Sequence, residues 1–218
     1  MNSNIQQGVA ISQALNELEK FFQEVEALRR LLSEQLNDFL SNSTEFQIGD
    51  IDYICTQSES TWLFPWDNLS IAIFKKKTRK LIDDKAHRFI NFQFSFFGES
   101  TAIPEQQARP ILHVSSSELR HCLDDFYVRY PIDKNWYLGD FPGVLSLEKN
   151  ELIWSNYDYG DKFWHYSVDL LSINAANVKQ ILIDPVYRLL HGEPWEVVPD
   201  SALDKAIVRY ENLESILK

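Results

Sequence analysis

The sequence is short of the residues that mark several protein classes. It holds two cysteines, Cys55 and Cys122, far apart and in neither a CxxC nor a Cys/His zinc spacing. Both read as reduced thiols, so disulfides and a structural metal are not expected to hold the fold. Seven glycines and eight prolines fall below the usual shares of about 7% and 5%, which excludes a collagen-like, linker-rich or low-complexity chain. Positive charge is also scarce: 21 Lys and Arg stand against 32 Asp and Glu, and the net charge of −11 opposes phosphate backbones and anionic membrane surfaces. No uncharged apolar run approaches the ~20 residues that would span a bilayer. The first residues, Met1-Asn2-Ser3-Asn4-Ile5-Gln6-Gln7, lack the basic start of a secretory leader. A cytoplasmic protein without membrane contact is the expectation. No GxGxxG, P-loop or GxSxG motif and no internal repeat occurs, so the common nucleotide and hydrolase signatures lend no support and no cofactor is expected.

Apolar material, by contrast, is ample. Hydrophobic residues make up 44% of the 218, and aromatic residues 13%, enough to build one core without staples. A single domain over residues 1–218 is the simplest organisation.

The strongest pattern comes first. Ile11, Leu15, Leu18, Phe22, Val25, Arg29, Leu32, Leu36 and Phe39 step by four and three residues alternately, broken in type only by Arg29. The spacing predicts a helix over 9–41, about 50 Å long. Ala14, Phe21 and Leu28 widen its apolar stripe, which suits packing on a sheet or in a bundle at least as well as a two-stranded coiled coil. Such a stripe needs a cover, either the chain's own sheet or a second chain. The expectation is partial self-burial with a dimer contact, in which Arg29 would pair with an acidic residue.

After Ser41-Asn42-Ser43-Thr44 the period changes to two. Strands are predicted at 47–56, 69–77, 87–97 and 110–114, a hairpin at 145–148 and 151–154, and a further strand at 163–171. In 87–97, Ile90, Phe92, Phe94 and Phe96 alternate with Asn91, Gln93 and Ser95, which reads as one buried and one wetter face. Ser115 to Ser117 read as the cap of a helix carrying Leu119, Leu123 and Phe126. Asn177 is expected to cap a helix through Leu190 that Pro185 ends or kinks. Asp200 is expected to cap the last, with Leu203, Ile207, Tyr210 and Leu217 on one side. The order predicts an α+β fold: a mostly antiparallel sheet packed by the long N-terminal helix and by C-terminal helices.

Several constellations carry chemistry in principle. Asp50 and Asp52 would share one face of a strand, the arrangement by which nucleotidyltransferases hold two metal ions, but the upstream Gly-Ser turn is missing. Asp67 with Asp83, Asp84 and Lys85 has the composition of a restriction-type nuclease site, yet a hairpin would hold Asp67 and Lys85 on the order of 25 Å apart. His113, His121, Cys122, Asp124 and Asp125 are rich in ligand types without a zinc spacing. The run Lys75, Lys76, Lys77, Arg79, Lys80 reads as the solvated tip of a hairpin, and locally as the one segment suited to nucleic acid or an acidic partner. Around Tyr157, Asp158, Tyr159 and Asp161, aromatic and acidic residues alternate in a turn that would make a recognition surface.

The function these features favour is a non-catalytic protein-binding or accessory subunit. Its contact residues would be Leu15, Leu18, Phe22, Val25, Arg29, Leu32 and Leu36 on the helix, with Tyr157, Asp158, Tyr159 and Asp161. The alternative is a metal-dependent nucleotidyltransferase or nuclease-like enzyme using Asp50 and Asp52. The third is a small-ligand-binding protein with an aromatic-lined pocket.

Overall fold

Residues 9–41 do form one helix, and it begins earlier than the spacing suggests. The computed structural model describes residues 3–55, 66–96, 109–118, 145–148, 152–155 and 163–208. Helix α1 runs Ser3–Ser41 and passes through Gly8, which costs a helix interior about 1 kcal/mol but does not break it. It ends where Ser43 takes over the backbone: the Ser43 hydroxyl accepts from the amides of Glu45 and Phe46, both at 3.1 Å. That turn feeds directly into the sheet.

Among the described residues seven strands follow: β1 Phe46–Cys55, β2 Trp66–Lys75, β3 Arg88–Ser95, β4 Ile111–Ser117, β5 Leu145–Glu148, β6 Leu152–Ser155 and β7 Phe163–Asp169. They form one sheet in the order β1-β2-β3-β4-β7-β6-β5, with every neighbouring pair antiparallel. With α1 and the C-terminal helices this is the expected α+β arrangement. β1 is an edge strand, and its register slips between Ile48 and Ile51 at a bulge containing Gly49 and Asp50.

Alternation assigns each strand residue to a face. On one face Leu69, Ile71, Ile73, Ile90, Phe92, Phe94, Leu112, Val114, Tyr166 and Val168 meet Val25, Leu32, Leu36 and Leu40 of α1 in a single core. Leu40, 1% exposed, takes the last buried place on α1 rather than Phe39. A straight helix drifts about 20° per heptad, so a four-and-three spacing does not stay on one line. Phe21, Phe22 and Phe96 close one end of this core edge to face, with ring centroids 5.3–5.7 Å apart.

The C-terminal part covers the same face. Asn177 does not cap a helix. Its Oδ1 accepts from the Asn174 amide at 2.8 Å and its Nδ2 donates to the Ser172 carbonyl at 2.9 Å, closing the preceding turn. The chain then winds as a π-helix over Lys179–Ile183 before α2, Asp184–Leu190. Pro185 accounts for the widened turn, since it has no N–H and its ring would collide with the Ile181 carbonyl in a regular helix. α2 ends in a Schellman motif: Gly192, at φ 77, donates to Leu189 and Glu193 donates to Arg188, both at 3.0 Å. Asp200 caps α3, Ser201–Ala206, accepting from the amides of Ala202 and Leu203. This last helix is shorter than expected, because Ile207 leaves it to bridge Val168 at the open side of β7. Tyr210 and Leu217 lie outside the described residues.

Two further expectations are corrected. Ser115 to Ser117 are strand, not a helix cap; they pair with Asn91, Ile90 and Phe89 and are buried. The helix expected at Leu119, Leu123 and Phe126 lies outside the described residues. The Asn91, Gln93 and Ser95 face of β3 is not wetter, for all three are 5% exposed or less.

Candidate functional site

Two surfaces stand out, one on α1 and one on the second face of the sheet. On α1 the apolar stripe divides by place. Val25, Leu32 and Leu36 are covered by the chain's own sheet, whereas Phe22 and Arg29 are partly buried, Leu18 is half-buried and Leu15 is exposed. Arg29 finds its acidic partner on its own helix, Glu26, at 3.3 Å. Beyond Phe21 the helix projects past the core as an arm. Val9, Ile11 and Leu15 on it are 52%, 61% and 58% exposed. From Ser3 to Asn16 the arm contains no charged residue; the first acidic side chain is Glu17, bonded to Lys20 at 2.9 Å.

Beside the arm's root lies a groove of about 410 Å³ between α1 and the turn after β7. Phe21, Leu28 and Leu31 form one wall, and Leu171 and Ile173 the other. Leu171 is 68% exposed.

The second face of the sheet is polar and buried. One row across it runs Ser70, Asn91, Ser115 on adjacent strands; the next runs Asn68, Gln93, His113, Ser167. All seven are 5% exposed or less. His113 Nδ1 lies 2.7 Å from the Ser167 hydroxyl, and burial pushes the imidazole pKa down to about 3, so the ring is neutral. Neither atom of the Asn91 amide nor the Ser70 hydroxyl has a hydrogen-bond partner, although the two residues sit directly opposite one another. A buried polar group without a partner costs about 1–3 kcal/mol. Ala72, Phe74 and Phe89 form a small apolar cluster on the same face beside this row. The signal available in the sequence was size and charge: a solvated strand face usually carries Lys or Glu, whereas these positions hold Ser, Asn and Gln.

The remaining candidate residues are dispersed. Asp50 and Asp52 are both exposed on the edge strand, Asp50 in the bulge and Asp52 opposite Ser70. Asp67 pairs with Cys55 and Phe94 at one end of the β2–β3 hairpin, while Asp83, Asp84 and Lys85 form a 3-10 turn beyond its other end. Among the described residues, no three His, Cys, Asp or Glu side chains come together in a way that would hold a metal ion. Lys75, Lys76, Lys77, Arg79 and Lys80 are exposed at the hairpin tip, as expected. His121, Cys122, Asp124, Asp125, Tyr157, Asp158, Tyr159 and Asp161 lie outside the described residues. No described helix is long and apolar enough to cross a membrane.

No family model, no curated protein and no solved structure matches the chain.

Proposed function

We propose that the chain is a non-catalytic binding subunit that pairs with a second copy of itself through the projecting arm of α1. One observation carries this reading: the arm is uncharged from Ser3 to Asn16 and exposes Val9, Ile11 and Leu15. Ile11 and Leu15, four residues apart, share one side of the helix with Leu18; an exposed apolar stripe of this kind marks an interaction site, and depletion of charge is what distinguishes the buried centre of an interface. Charge also selects the partner. A molecule of net charge −11 repels its own copy, and a contact made through the uncharged arm adds least to that repulsion.

Shape supports the same partner. An arm and a groove on one helix are self-complementary: about a two-fold axis, each arm lies along the Leu28, Leu31 and Leu171 groove of the other copy. Val25, Leu32 and Leu36 then serve the core, and Ile11, Leu15 and Leu18 serve the contact. Sedimentation equilibrium over a concentration series tests this. A monomer–dimer equilibrium that Ile11→Gln/Leu15→Gln abolishes is the expected result; a monomer at every concentration removes the self-pairing reading.

A further inference from the structure

The tip of the β2–β3 hairpin stands at the other end of α1 from the arm, beside Ser41. Lys75, Lys77, Arg79 and Lys80 are exposed there, and among the described residues no carboxylate forms an ion pair with any of them. Carboxylates are plentiful in the chain, with 32 Asp and Glu against 21 Lys and Arg. A run of like charges left unanswered in such a chain repels itself. Leu81 and Ile82 follow directly, 41% and 49% exposed. We infer that this tip docks an acidic polypeptide segment that carries aliphatic side chains among its carboxylates.

The backbone under these side chains is fixed from two sides. Gln47 reaches across from β1, and its Nε2 donates to the carbonyls of Lys75 at 3.1 Å and Thr78 at 3.0 Å. The Lys76 amide donates to the Glu45 carbonyl at 2.7 Å, and the Thr78 amide to the Lys75 carbonyl at 2.9 Å. Beyond Ile82, the Lys85 amide donates to the Ile82 carbonyl at 2.9 Å and closes the turn. A tip that only keeps the protein in solution needs charge but no such bracing, whereas a loop ordered before contact loses less entropy on binding.

The neighbouring residues select among anions. Between Lys75 and Ala86 there is no Phe, Tyr or Trp on which a base could stack, which disfavours single-stranded nucleic acid. Asp83 and Asp84 are exposed in the turn that follows Ile82, so an anionic lipid surface meeting the aliphatic pair would meet two carboxylates as well. A peptide is narrow enough to lie along the cations and leave the two aspartates in water. Its carboxylates then answer Lys75, Lys77, Arg79 and Lys80, and its aliphatic side chains cover Leu81 and Ile82.

Fluorescence anisotropy of a labelled glutamate-rich peptide with a central pair of leucines, titrated with the full chain, tests this. The expected result is saturable binding that weakens at least about tenfold between about 0.05 M and about 0.5 M salt. Lys77→Gln/Arg79→Gln/Lys80→Gln weakens it at least about tenfold at the lower salt, and Leu81→Ser/Ile82→Ser weakens it too. Both variants melt within a few degrees of the parent chain, because the substituted side chains are exposed. No binding, or an affinity that either set of substitutions leaves unchanged, overturns the inference. Tighter binding of oligo-dT, or of phosphatidylserine vesicles in co-sedimentation, makes the tip a nucleic-acid or membrane contact and overturns it as well.

Discussion

Lys76 donates from Nζ to the carbonyl oxygen of Ser41 at 3.2 Å, so the tip of the β2–β3 hairpin holds the last turn of α1. The helix has no basic residue of its own in that turn, and the hairpin supplies the positive charge that the negative end of the helix dipole favours. The basic run thus divides by role. Replacing Lys76 with Gln is expected to cost about 0.3–1 kcal/mol, a fall in melting temperature of about 1–4 °C. Replacing Lys75, Lys77, Arg79 or Lys80 singly with Gln is expected to change stability by less than Lys76→Gln does, by about 0.5 kcal/mol at most. Thermal melts of the five single variants check the division, and a loss at any of the other four as large as that at Lys76 would deny Lys76 its special place.

Gly49 lies under the ring of Phe74. A Cβ at this position would meet the Phe74 ring, with Cδ2 at 2.8 Å, and Phe74 is itself fully buried. Gly49→Ala is expected to destabilise the fold by about 1–3 kcal/mol through overpacking at the bulge. Phe74→Leu in the same chain should recover part of that loss. Urea unfolding of the two single variants and the double variant reads the coupling; purely additive losses would show that the ring is not what excludes the side chain.

Acid should weaken the fold through His113. Its folded pKa, about 3, lies below the ordinary value of 6.5, so between these values the unfolded chain takes up a proton that the folded chain refuses. Stability from this group is therefore complete above pH 6.5 and falls as the pH is lowered towards 3, with a slope approaching about 1.4 kcal/mol per pH unit. Burial and then Lys75 lower the His87 pKa too, which adds in the same direction. The comparison of the parent with His113→Gln isolates the first residue: its stability between pH 4 and 6.5 should depend less steeply on pH, and identical slopes would contradict the assignment.

Asp200 holds the start of α3 with two backbone hydrogen bonds, at 2.8 and 2.9 Å, and so seats Leu203 in the core. Asp200→Ala is expected to cost about 0.5–2 kcal/mol, and Asp200→Asn much less, because the cap needs an oxygen acceptor rather than a charge. Equal losses in both variants, measured by urea unfolding, would point to charge instead.

What the sequence made legible follows from periodicity. Alternation at Ile90, Phe92 and Phe94 located β3 and its core face, and the four-and-three spacing located α1. Alternation says which residues share a face but not whether that face is covered, and for this reason Asn91, Gln93 and Ser95 passed for solvated positions. Ser115 to Ser117 misled for a related reason: serine favours helix caps when free to do so, but here cross-strand pairing with β3 fixes the backbone first. Heptad spacing likewise ran the length of α1 without revealing that the sheet stops near Phe21. The division between a core half and a projecting half depends on the sheet's extent, which no local pattern encodes.

The self-pairing account rests on the arm being an attachment rather than part of the core. Removing residues 1–42 would not test it, because Leu32, Leu36 and Leu40 are within the core. Removing residues 1–17 does, since every residue from Gln6 to Glu17 is exposed. Sedimentation equilibrium of that shortened chain beside the full one, with a thermal melt of each at a concentration where the full chain is monomeric, is the direct measurement. The account predicts that the shortened chain stays monomeric at concentrations where the full chain pairs, with the two melting temperatures alike. A shortened chain that pairs as the full one does, or that unfolds at a much lower temperature while monomeric, would contradict it.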